Sequence, residues 1–65
     1  MKNVIIEYAK ISPKDLDLKI CKKVPNALCI WKDVDTDFFE FEVIGWLPMC
    51  PADIAKIEEI LAPYV

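Results

Sequence analysis

The sequence predicts an α+β fold of order β-α-β-β-α: a short three-stranded mixed or antiparallel sheet packed by two helices. Three observations carry that expectation. Residues 3–11, 27–34 and 38–47 are runs rich in β-branched and aromatic side chains. Two further stretches open with the same punctuation, Ser12-Pro13-Lys14-Asp15 and Cys50-Pro51-Ala52-Asp53, the pattern of a helix start with proline in the first turn. Between the second and third runs, Asp35-Thr36-Asp37 breaks the apolar pattern as a hairpin turn does.

The first run, Val4-Ile5-Ile6-Glu7-Tyr8, is apolar at both odd and even positions, so it predicts a strand that is central or covered on both faces. Ser12 then supplies an N-cap, Pro13 loses no needed N–H, and Asp15 closes a capping-box variant. Leu16, Ile20 and Val24 follow at helical spacing, giving a helix to about Lys23. Lys22 and Lys23 suit its C-terminal dipole and Pro25 ends it. A strand remains the rival reading here, since Leu16, Leu18 and Ile20 also alternate. In the second helix, Ile54, Ile57, Leu61 and Tyr64 form one stripe, and Pro63 stops it.

Parity sets the hairpin register. If Val34 faces Phe39 across a four-residue loop, Ile30 faces Val43 and Lys32 faces Phe41. One sheet face then carries Leu28, Ile30, Val34, Phe39, Phe41 and Val43. The other carries Cys29, Trp31, Asp33, Glu40, Glu42, Ile44 and Trp46. That second face mixes aromatic and acidic side chains, the composition of an interaction surface. It is either covered by a helix or presented to a partner.

The chain is 65 residues long, one domain over 1–65, and 55% of its residues are apolar. A domain this small cannot hide all of that apolar surface, which favours contact with another protein or another copy of the chain. Its formal net charge is −3, from 8 lysines and 11 acids, with no His, Arg or Gln. Lack of His removes the usual general base and an imidazole metal ligand. Lack of Arg, with the acidic balance, argues against nucleic acid. No run reaches the roughly 20 apolar residues of a membrane span, and the start of the chain lacks a secretory pattern. An odd count of three Cys fits a reducing cytoplasm better than a disulfide-stapled secreted domain.

Single residues with chemistry are few. Cys50 at a helix N-terminus is a candidate reactive thiol, because exposed N–H groups and the dipole favour thiolate, although Asp53 competes for the same groups. Trp46-Leu47-Pro48-Met49-Cys50-Pro51 resembles the strand-to-helix corner of thioredoxin-like proteins over that short run alone, and the chain is too short for their fold. Cys21 and Cys29 read as small core residues. With no C-x-x-C pair, the spacing predicts no metal site and no cofactor. Asp33-x-Asp35-x-Asp37 resembles the opening of a calcium loop, but Phe38 and Ile44 occupy the glycine and terminal glutamate positions.

The functional expectation is a non-enzymatic cytosolic interaction module, a small regulator, adaptor or inhibitor. It would bind a protein or itself through Trp31, Ile44, Trp46, Glu40 and Glu42, or through a strand edge, with no nucleic acid and no membrane involved. The alternative is a thiol-based redox or sensor protein using Cys50.

Overall fold

In the computed structural model, which describes residues 3–45 and 49–65, the order is β1 (Asn3–Glu7), α1 (Pro13–Lys23), β2 (Ala27–Asp33), β3 (Phe38–Gly45) and α2 (Pro51–Leu61). A 3-10 turn over Ala62–Tyr64 follows. The sheet is antiparallel throughout, with β3 in the centre and β1 and β2 at its edges. No helix is long and apolar enough to cross a membrane, among the described residues.

The helix starts are where the punctuation puts them. The Ser12 hydroxyl accepts from the Asp15 N–H at 3.3 Å, with Pro13 at the first helical position. Cys50 occupies the equivalent place on α2 in the same extended conformation, but its side chain makes no capping bond. Replacing Ser12 by Ala should therefore cost about 1 kcal/mol, while Cys50→Ser should cost nothing, because an oxygen replaces a sulfur that caps nothing. Urea denaturation of both variants checks the contrast, and equal losses would contradict it.

Both helices lie on one side of the sheet. Leu16 and Ile20 of α1 and Ile57 and Leu61 of α2 join Ile6, Phe39, Phe41 and Val43 in one core with Val24, Ala27 and Cys29. Helical spacing therefore wins over alternation in the first helix: Leu16 and Ile20 are buried and Leu18 is exposed. Beyond Leu61 the backbone tightens into a 3-10 turn containing Pro63, with Tyr64 still packed against the core.

Two sequence expectations are corrected. The first strand is neither central nor covered on both faces: it is an edge strand whose Ile6 is fully buried while Ile5 is exposed. It ends at Glu7 rather than near Ile11, because Tyr8 to Lys10 turn, with Lys10 N–H donating to the Glu7 carbonyl.

The hairpin register also differs by one residue. Asp33, not Val34, faces Phe39; Cys29 faces Val43, Ile30 faces Glu42, Trp31 faces Phe41 and Lys32 faces Glu40. The turn explains the shift. The N–H groups of Val34 and Asp35 both donate to the Phe38 carbonyl, and Asp35 Oδ1 accepts from the N–H groups of Asp37 and Phe38 at 2.7 and 2.9 Å. Asp35 thereby closes a tighter tip than the assumed loop, and a one-residue change in register moves every β2 side chain to the opposite face. The acid-rich tip uses a carboxylate to hold its own backbone.

Candidate functional site

The observed register sorts the sheet into two unlike faces. Toward the helices point Val4 and Ile6 from β1, Phe39, Phe41 and Val43 from β3, and Ala27, Cys29 and Trp31 from β2. Away from them point Asn3, Ile5 and Glu7, then Phe38, Glu40, Glu42 and Ile44, then Leu28, Ile30 and Lys32. Ile5, Leu28, Ile30, Phe38 and Ile44 on this open face are between 36% and 58% exposed.

The pairing places charge between apolar ends. Ile44 opposite Leu28, next to Ile30, makes one apolar group; Ile5 and Phe38, with Val34 at the turn, make the other. Glu40 and Glu42 occupy the central strand between them. Lys32 Nζ lies 3.6 Å from Glu40 Oε1, an exposed contact of small energetic value. Glu42 is flanked by Asn3 and Ile30, with no cation in its row. With Glu7 also on this face, acids outnumber Lys32 three to one among the described residues.

Of the sequence-predicted surface, Glu40, Glu42 and Ile44 share this open face. Trp31 does not: it points to the helix side, stacked on Phe41 with ring centroids 6.2 Å apart and planes 7° apart. It sits on the edge strand and remains 38% exposed. From there it borders a shallow recess of about 190 Å³ with Ile30, Lys32, Glu40 and Glu42. Trp46 lies outside the described residues. Sequence reasoning missed Leu28 and Ile30 because a one-residue register error swaps the face of β2, and Ile5 because β1 takes an edge rather than a central position; Phe38 shares the parity of Glu40, Glu42 and Ile44 on β3 and was legible from alternation alone.

The chain shows no significant match to family models, curated proteins or solved structures.

The cysteines are three free thiols in three environments. Cys50 is exposed at the start of α2. Cys21 is half-buried on α1, donating its S–H toward Asp17 Oδ1 at 3.0 Å and lying 3.7 Å from the Ala27 carbonyl oxygen. That carboxylate, with burial, pushes the Cys21 thiol up. Cys29 is buried on β2, and loss of solvent together with the nearby Asp17 charge pushes its thiol up from 9.0 to about 12. At neutral pH the raised value keeps the Cys29 thiol protonated.

Alkylation of the folded chain with iodoacetamide should label Cys50 first, Cys21 later and Cys29 last. Peptide mapping by mass spectrometry reads the order, and early labelling of Cys29 would contradict its burial.

Tyr8 closes the helix-side face at the other end of the sheet. Its ring packs against Phe39 at 4.9 Å, and its hydroxyl donates to the Asp33 carboxylate. That bond holds the phenol in its protonated form, raising its pKa.

Proposed function

We propose that this chain is a non-enzymatic protein-interaction module of a reducing cytoplasm, and that its binding surface is the open sheet face. The observation that supports it most is the uncovered face itself, with apolar ends and Glu40 and Glu42 between them. Apolar side chains arranged around a few oriented charges suit recognition of another protein. Three free thiols suit the compartment. A regulator, adaptor or inhibitor would have this form.

The charge pattern indicates the partner's chemistry. A second copy laid face to face about a two-fold axis would bring the two central acidic strands toward one another, with only Lys32 to compensate on each side. A different protein presenting apolar side chains around a lysine or arginine meets both requirements. The partner is therefore a basic, apolar surface rather than a homodimer mate.

The test uses the full chain, isotope-labelled for NMR, titrated with a synthetic peptide alternating Leu and Lys and with its Leu–Glu counterpart. Expected are shifts concentrated at Leu28, Ile30, Glu40, Glu42 and Ile44 with the Lys peptide, weakening as salt rises, and little response to the Glu peptide. Equal responses to both peptides would overturn the reading. So would shifts centred on the helix-side groove lined by Lys23, Lys56, Glu59 and Ile60, or sedimentation showing that the open face is already closed by a second copy.

A further inference from the structure

We propose that Asp17, Cys21 and Cys29 form a binding site for a single thiophilic divalent cation of the zinc class. The three side chains come from two elements. Asp17 and Cys21 are four residues apart on α1 and so share one helix face. Cys29 rises from β2 beneath that face, on the helix side of the sheet.

One ligand atom from each lies within 4.8 Å of the other two. The Cys21 sulfur is 3.0 Å from Asp17 Oδ1 and 3.7 Å from the Ala27 carbonyl oxygen. A tetrahedral zinc with bonds of about 2.0–2.3 Å sets its ligands roughly 3.3–3.8 Å apart. The cluster needs only small side-chain adjustments to reach that shape.

The chemistry of the set favours a metal over simple packing. Asp17 is a half-buried carboxylate with no ion pair among the described residues, its described side-chain hydrogen bond coming from a thiol, a weak donor. Two sulfurs and one carboxylate oxygen make a mixed donor set that suits zinc better than magnesium or calcium. A Cys21–Cys29 disulfide would remove the thiol donor and leave Asp17 with less than it has now. Cys21 is accessible enough to admit an ion, and three protein ligands leave the fourth position for water.

Binding replaces two S–H bonds by two sulfur–metal bonds: one divalent cation enters, two protons leave, and neither sulfur changes oxidation state. The net charge of cation plus three anionic ligands is −1. This site lies across the sheet from the open face and does not depend on the proposed function.

The experiment is calorimetric titration of the full reduced chain with Zn²⁺, using a phosphine reductant that does not compete as a thiol. Buffers of different ionisation enthalpy count released protons. Co²⁺ as a second probe reports sulfur coordination through charge-transfer absorption. Expected are one Zn²⁺ per chain, close to two protons released, and a sulfur-to-cobalt band.

Asp17→Asn and Cys21→Ser should each weaken Zn²⁺ binding by at least about tenfold, since losing groups that only orient a metal's ligands already costs about 10–100-fold. Cys50→Ser should leave it unchanged. Asp17 and Cys21 are not fully buried, so circular dichroism can establish that these variants fold even where Cys29→Ser does not. Absence of Zn²⁺ binding to the folded wild-type chain would overturn the assignment. Binding that survives in Asp17→Asn and Cys21→Ser, or that disappears with Cys50→Ser, would do the same. A Cys21–Cys29 disulfide forming with glutathione disulfide equally fast with and without Zn²⁺ would also overturn it.

Discussion

Replacing Phe41 by Ala should unfold most of this protein at room temperature. Phe41 is fully buried on the central strand, between Val4 of β1 and Trp31 of β2. It stacks on Trp31 and meets Phe39 edge-on, with ring centroids 6.3 Å apart at 78°. Removal of a buried phenylalanine costs about 3–5 kcal/mol, and a single core in a chain this short rarely supplies more than about 3–5 kcal/mol in total. The loss is therefore comparable with the whole stability.

Phe41→Leu, which keeps most of the volume, should remain folded with a lowered urea midpoint, and Ile5→Ala on the open face should change the midpoint little. The series also tests the hairpin register. In the observed pairing Trp31→Ala removes the stacked partner of Phe41 and destabilises; in the register expected from the sequence, Trp31 would face away from Phe41, and its loss would leave that ring's packing intact. A Phe41→Ala chain that keeps its cooperative transition with a loss below about 1 kcal/mol would contradict the packing described.

The second large effect concerns binding rather than folding. Ile30→Lys together with Ile44→Lys should weaken recognition of the Leu–Lys peptide by roughly a thousandfold, if each removes a contact worth about 2 kcal/mol. Both positions are already partly exposed, so monomer stability should change little. Lys at position 30 would also lie directly opposite Glu42, where an opposite charge is mildly favourable across strands. A matched Glu42→Lys variant should reduce the salt dependence as well as the affinity. Unchanged peptide affinity in the double variant, with the fold intact by circular dichroism, would remove the open face from consideration.

How much of this was legible in the residues varies with the range of the interaction involved. Ser12-Pro13 and Cys50-Pro51 mark both helix starts because the signal is local: proline fits the first helical turn in each, and the Ser12 hydroxyl accepts from the Asp15 N–H, while Cys50 makes no side-chain cap. Ile57 and Leu61 declare a helix face through spacing, whereas Leu16 and Ile20 also alternate with Leu18, and it is the burial of the first two with Leu18 exposed that decides for a helix. The site was less accessible. Glu40, Glu42 and Ile44 alternate on one strand and so share a face whatever the register, whereas Trp31 belongs to a second strand whose face depends on the turn. Asp17, Cys21 and Cys29 carry no recognisable metal spacing because the third ligand arrives through the docking of α1 on β2.

Neighbours along the chain settle the element order β-α-β-β-α, the two helix starts and the apolar stripe of α2, and composition settles the acidic balance. Tertiary structure alone decided that β3 is central, that both helices take the same face, and that Cys21 meets Cys29. It also decided the facing of Trp31. One hydrogen-bonded turn at Asp35 sets the hairpin parity, and with a side-chain period of two, parity assigns all of β2 to one face or the other.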